Sequence, residues 1–262
     1  KTVRRQRQMC IRDSVQGITE FLPISSSAHL LLPSLLFNVT DQGLAFDIAV
    51  HAGTLMAVIF YFKNDLKKIT LSFISKNHDN DKKFGILLII ATIPIVIVGL
   101  FMSGFLESRV FGIKTIAYAN ISFAILLFLS FRSAKQNKSL ANLTILGALF
   151  IGLIQTFALI PGASRSGTAI TAALIFGLSL KEASKFSFML AIPTIFGALT
   201  LMLLSLYSSE VTISVTPLLI GFFTSIIFAF YTIKYFLIFV EKVGMYPFVI
   251  YRIFLGIMLL AL

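Results

Sequence analysis

Two short stretches hold most of the side chains in this 262-residue sequence that could do chemistry. In the first, Gln16, Glu20, Ser25, Ser26, Ser27 and His29 fall within fourteen residues. Gln16 and Glu20 are four apart, so on a helix they share a face. The second reads Pro161-Gly-Ala-Ser-Arg-Ser-Gly167 and sets Arg165 between Ser164 and Ser166. A guanidinium offers a planar fork of donors that matches phosphate oxygens. Glycines such as Gly167 let backbone amides approach an anion, and a helix beginning near Ser166 would point its positive end at it. Together the two stretches supply an anion clamp, a carboxylate, an imidazole and several hydroxyls. That set can hold a phosphate, deliver a nucleophile and move a proton. A diphosphate usually needs a divalent cation as well, and Mg²⁺ prefers oxygen ligands, one or two carboxylates plus substrate phosphates. Ser, Gly and Pro are also ordinary turn residues, but a carboxylate in an apolar run is costly and marks function by default.

The surroundings of these stretches are those of a membrane protein. Hydrophobic residues make up 57% of the chain and charged residues 13%, against roughly 45–50% and 25% in soluble domains. Long apolar runs at 44–62, 84–105, 113–131, 186–206, 217–239 and 247–262 approach or exceed the roughly 20 residues of a spanning helix. The single cysteine, Cys10, excludes an internal disulfide framework. The net charge of +11 does not indicate nucleic acid, because the cations sit mostly in short loops and no basic stripe with interleaved aromatics appears. Residues 1–14 stand apart. They carry Lys1, Arg4, Arg5, Arg7 and Arg12 without the apolar core of a signal peptide. RQRQMCIRDS resembles translated sequencing-adapter sequence fused to a truncated gene, so the membrane domain is expected over 15–262.

Charge sets the expected topology. Lys63, Lys67, Lys68, Lys76, Lys82 and Lys83 crowd one loop, and Arg132, Lys135 and Lys138 another, whereas 207–216 carries no cation. The two basic loops are two spans apart and are expected on the cytoplasmic side. Lys181 and Lys185 belong there too, so 140–176 must cross an even number of times. Its second limb, Thr168 to Phe176, is too short to span. A re-entrant hairpin with its tip at Pro161–Gly167 resolves the parity, and irregular backbone at that depth survives only inside protein or a wet cavity. A second hairpin, with its tip at Pro23–Ser27, precedes the span at 44–62 and enters from the opposite side. Each half of the chain, 15–131 and 140–262, thus reads as one hairpin plus three helices. Aligning Pro23 with Pro161 puts Ser26 opposite Ser164. The expected fold is an all-α polytopic inverted repeat, an architecture that places binding sites where broken helices meet.

QGITEFLPISSSAHL and PGASRSG resemble the two signature regions of the undecaprenyl-diphosphate phosphatase family, also called the bacitracin-resistance family. Phe46-Asp47 with His51-Ala-Gly-Thr54, and Glu182 to Phe188 leading to Ala191-Ile-Pro193, extend the likeness over Val15 to Leu262. The resemblance implies a bacterial inner-membrane hydrolase that removes one phosphate from the C55 isoprenoid diphosphate and recycles the cell-wall lipid carrier. It further implies a divalent cation, Mg²⁺ or Ca²⁺, and a site open toward the outer face. Carried onto this chain, Glu20 binds metal or acts as a base, Ser26 is the leading nucleophile and His29 its acid–base partner. Arg165 clamps phosphate with Ser164, Ser166 and Gly167, while Ser25 and Ser27 add donors. Gln16 occupies a position where family members carry Glu or Gln, which makes it a weak metal ligand, and Ala28 replaces the usual glycine. The competing class is a lipid or small-molecule transporter built on the same repeat, which has no need of a nucleophile beside a histidine.

Overall fold

The computed structural model describes residues 14–26, 28–30, 43–74, 79–107, 111–207 and 215–261. Ser27, the chain from 31 to 42 and residues 1–13 of the N-terminal segment lie outside this set. Within it the chain is helical apart from turns, short connections and one isolated bridge, Lys138 to Leu178. A first helical segment covers 14–19. The longer helices are α1 (Leu44–Tyr61), α2 (Lys63–Ile74), α3 (Asp79–Glu107), α4 (Ile113–Ser133), α5 (Ile145–Gln155), α6 (Arg165–Phe176), α7 (Leu180–Tyr207), α8 (Val215–Val243) and α9 (Tyr246–Ala261).

Among the described residues, five helices are long and apolar enough to cross a membrane, namely Leu44–Tyr61, Asp79–Met102, Ile113–Ser133, Leu180–Tyr207 and Val215–Val243. Each contains or coincides with one of the apolar runs. Several extend past the run into polar sequence: α3 begins at Asp79, with Asp79 and Asp81 in its first turn, where carboxylates favour the positive helix end. The apolar run at 247–262 forms α9, whose 16 residues reach about 24 Å, short of the roughly 30 Å hydrocarbon core. The basic stretch 63–83 is not all loop. Its first part forms α2, because Leu66 and Ile69 give it one apolar face that packs on the core.

On α9 the charged residue faces the interior and a large apolar one faces outward. Arg252 is 0% exposed, while Phe254, two residues further along α9, is 67% exposed. Lipid can solvate Phe254, but only protein can solvate Arg252. Close helix crossings use glycine. A Cβ on Gly53 of α1 would collide with Phe222 O and Ser225 Oγ of α8, and one on Gly152 of α5 with the backbone of Ala91 in α3. Because Phe222 O belongs to the backbone and cannot retract as a side chain could, Gly53→Val must push α1 off α8. The variant is expected to lower the thermal unfolding midpoint in detergent and to cost more than the about 1–3 kcal/mol of ordinary overpacking. An unchanged midpoint would show that this crossing is loose.

Candidate active site

Two broken helices build the site. The first helical segment ends where the Glu20 amide donates to Gln16 O at 2.9 Å. The chain then turns through Phe21–Ile24, and helix resumes at Ser26. In the second, α5 tightens into a 3₁₀ turn at Thr156–Leu159, the chain turns at Ile160–Ala163, and α6 starts at Arg165. Each tip closes on a serine in the left-handed region, Ser25 with φ 70° and Ser164 with φ 72°. That conformation is uncommon for a residue with a Cβ and costs on the order of 1–3 kcal/mol. Both serines accept the first helical bond, from His29 N and Thr168 N respectively. Ser164 Oγ also caps α6 by accepting from Gly167 N at 3.2 Å, the usual work of a serine at this position. α6 therefore begins at Arg165, within one residue of the expected start near Ser166 and three residues before the Thr168 taken as the start of the short limb.

The tips touch through the residues that the sequence singled out. Arg165 Nη2 donates to Glu20 Oε1 at 3.0 Å, an ion pair whose side chains are 11% and 9% exposed. The same nitrogen lies 3.5 Å from Glu20 O, and Nη1 reaches Ser187 O at 3.4 Å. The guanidinium carbon also stands 5.4 Å from the Phe21 ring centre, within cation–π range. Glu20 Oε2 accepts from Gln16 Nε2 at 2.9 Å and from Ser26 Oγ at 3.3 Å. Ser166 is fully buried and donates to Leu22 O at 3.0 Å, a second bond between the tips. Ser164 Oγ and Ser166 Oγ lie 3.3 Å apart.

His29 stands apart from Ser26 in this network. Its Nδ1 lies 2.7 Å from Ser25 O and its Nε2 2.7 Å from Tyr251 Oη, with the two rings stacked at 5.5 Å. A carbonyl only accepts, so Nδ1 carries a proton and Nε2 of the neutral ring accepts from Tyr251. Ser26 is instead bonded to Glu20.

Four polar residues that the sequence reading did not single out complete the assembly. His51 of α1 lies 3.3 Å from Gln16 Nε2 through its Nε2, while its Nδ1 donates to Asp47 O at 2.7 Å. Tyr251 meets His29. Asn120 of α4 and Arg252 of α9 exchange two bonds, Arg252 Nε to Asn120 Oδ1 at 2.8 Å and Asn120 Nδ2 to Arg252 O at 2.9 Å. A lone polar residue in a regular apolar helix, such as Tyr251, Asn120 or Arg252, carries no motif, and His51 stands in a stretch that resembles the family without an assigned role. The available signal was generic: an ionisable group in a membrane run, Arg252 above all, faces a functional interior.

The donor set admits a cation with a phosphate ligand more readily than a free one. Among the described residues no three His, Cys, Asp or Glu converge. Glu20 is the carboxylate bonded to Gln16, whose Oε1 is buried without a hydrogen-bond partner. One carboxylate plus one orphan carbonyl oxygen fits the sparse protein shell that Mg²⁺ takes when substrate phosphates supply the rest.

A bundle of apolar helices that buries an ion pair, an imidazole and hydroxyls where two broken helices meet is a multi-pass membrane protein with an internal polar site. It belongs to the bacitracin resistance protein BacA family, whose model matches residues 10–258. Similar curated proteins carry the name undecaprenyl-diphosphatase. That of Alcanivorax borkumensis is 45% identical over 250 residues, covering 94% of this chain and 94% of its own length. That of Alteromonas mediterranea is 44% identical with the same coverage. The Saccharophagus degradans protein is 45% identical over 254 residues, 95% of this chain and 94% of its own.

Proposed function

We propose that this chain is an integral-membrane undecaprenyl-diphosphatase, which hydrolyses undecaprenyl diphosphate to undecaprenyl phosphate and inorganic phosphate. The observation that carries the chemistry is the 3.0 Å pair between Glu20 and Arg165, 145 residues apart and each at the tip of a broken helix. A guanidinium held beside a carboxylate, a serine and the first turn of α6 can bind a phosphate and process it. The pair is also a gate on charge. Until an anion arrives, Glu20 neutralises Arg165; a phosphate competing for the fork frees the carboxylate to take a proton.

In this reading the Arg165 side chain and the amides of the first residues of α6 bind the terminal phosphoryl group, where developing charge is best stabilised. Ser26 Oγ attacks the terminal phosphorus and its proton passes to Glu20 Oε2. The bridging P–O bond breaks, and undecaprenyl phosphate leaves. Water then cleaves the Oγ–P bond, releasing inorganic phosphate and restoring Ser26. His29 tunes the electrostatics of the tip from its place between Ser25 and Tyr251. Glu20 and Gln16 would hold a divalent cation, Mg²⁺ or Ca²⁺, that screens the diphosphate charge when bound. Ser27, Ser25 and Ser164 to Gly167 are assigned to the phosphate side of the site.

The fold in this reading is an inverted repeat with two re-entrant hairpins. At 12 residues α6 is about 18 Å long and cannot span. The match between halves improves when Ser25, not Ser26, is set opposite Ser164, as their φ angles indicate. That offset also superposes Gln16 on Gln155. Both are buried, both keep an unpartnered Oε1, and both turn their Nε2 to the first long helix after their own hairpin, at His51 and Thr194. Helix contacts are related in the same way: α1 packs on α8 as α7 packs on α3, and α4 packs on α9. The positive-inside rule then sets 63–83 and 132–139 in the cytoplasm, and the family resemblance implies a site open toward the outer face.

Purified protein in detergent is expected to release phosphate from undecaprenyl or farnesyl diphosphate. Ser26→Ala should lower kcat by at least about 10²-fold, the scale of losing a nucleophile. Rapid quench with terminally labelled substrate should trap label on the peptide containing Ser26. Turnover at full rate in Ser26→Ala would refute the covalent step, and no phosphate release by the parent protein would refute the reading itself.

A further inference from the structure

We infer that Arg252 is a positioning residue that locks the two hairpin tips into one register, and that the site's rate depends on this lock. The inference takes its catalytic consequence from the reading above, while the lock itself stands on geometry alone. Arg252 lies outside both signature stretches, in an apolar helix. It is 0% exposed. Its Nη1 donates to Pro23 O of the first tip at 3.3 Å, and its Nη2 to Gly162 O and Ala163 O of the second at 2.9 and 3.0 Å. Its Nε is held by Asn120 of α4. Among the described residues no carboxylate pairs with it.

The physical logic lies in the carbonyls. A broken helix leaves backbone acceptors without partners, and in a water-poor interior each must find a donor. One guanidinium carries five N–H groups in a rigid fork. It therefore satisfies acceptors from both tips at once, which a Lys ammonium on a flexible stem does less well. A buried Arg without a counter-ion is costly, so a hydrophobic residue here would be favoured if packing were the only task. The retained charge points to specification of the tips. Because a trans peptide is planar, holding Ala163 O on Arg252 also fixes the opposite direction of the Ser164 N–H, and hence the angle at which Arg165 leaves the turn. Gly167 completes the fit: a Cβ there would come within 2.9 Å of Arg252 Nη1. Arg252 touches neither Glu20 nor Arg165, so it acts through the backbone that carries them.

The test compares the parent protein with Arg252→Lys and Arg252→Met by two readouts. Hydrogen exchange, followed by mass spectrometry in detergent, reports the lock without reference to any substrate. Peptides covering 20–30 and 160–168 should both exchange about tenfold faster or more, while peptides from α1, α7 and α8 keep their rates, as expected for local opening. Steady-state hydrolysis of farnesyl diphosphate should show kcat lowered by about 10²-fold with KM changed by less than about threefold, the signature of misplaced catalytic groups. Arg252→Lys should lie between the parent and Arg252→Met. Unchanged exchange in either tip, or exchange accelerated throughout the bundle, overturns the lock. Accelerated tips with an unchanged kcat overturn its catalytic role. A parent protein that exchanges as expected but hydrolyses no lipid diphosphate refutes the proposed activity and leaves the lock standing.

Discussion

Arg165→Ala is expected to lower kcat/KM for a lipid diphosphate by about 10³-fold, or about 4 kcal/mol, the loss typical of removing a preorganised donor from developing charge. Two effects contribute. The phosphate loses the fork that matches its oxygens, and Glu20 loses the partner that holds it 3.0 Å away across the tips. An uncompensated carboxylate then faces an anionic substrate. Arg165→Lys should recover part of the loss, because it keeps the charge and gives up the planar geometry. Comparing kcat/KM for the two variants with the parent checks this, and an alanine variant within threefold of the parent would remove Arg165 from the site.

Glu20→Gln should give a different pattern. The amide keeps the shape and can still accept from Ser26 and Gln16, but it cannot take a proton. General-base catalysis is worth about 10²–10⁴-fold, so kcat should fall within that range. At saturating divalent cation KM should not rise, because Arg165 is released from its carboxylate and turns fully to the phosphate. Steady-state kinetics separate the two parameters. A large increase in KM with kcat preserved would make Glu20 a binding group, with no role in proton transfer.

The parts of this site that the sequence made legible are those where the membrane forbids accident. Glu20 and Arg165 stand out because a charge in an apolar run must be answered, and each answers the other. Charge parity around 140–176 pointed to a limb too short to cross, and α6 is that limb. The register between the tips was less legible. Proline alignment set Ser26 opposite Ser164, whereas φ sets Ser25 there, because the second turn has one more residue between proline and the left-handed serine. His51 lay in a family-like stretch without an assigned role, and Tyr251, Arg252 and Asn120 were missed for a common reason. Each is a single polar residue on a helix otherwise fit for lipid, and its role depends on which tip atom lies opposite, a fact of packing that periodicity does not encode. The pairing of Ser26 with Glu20 in place of His29 is of the same kind. Ser26 and His29, three positions apart, meet a carboxylate and a tyrosine on α9 respectively.

In the proposed inverted repeat, labour is divided between the halves. At the offset that matches Gln16 with Gln155, Glu20 falls opposite Leu159 and Ser26 opposite Arg165. The proposed carboxylate and nucleophile would thus come from one half and the proposed anion clamp from the other, so neither half would be a site alone.

That interdependence is open to a direct measurement, a double-mutant cycle on kcat/KM with Glu20→Gln, Arg165→Gln and both together. If the two tips form one pocket, the double variant should be about as impaired as the worse single variant, a coupling of about 2 kcal/mol or more. Losses that simply multiply would mean that Glu20 and Arg165 act at separate places, and the convergence of the tips would have no part in the chemistry.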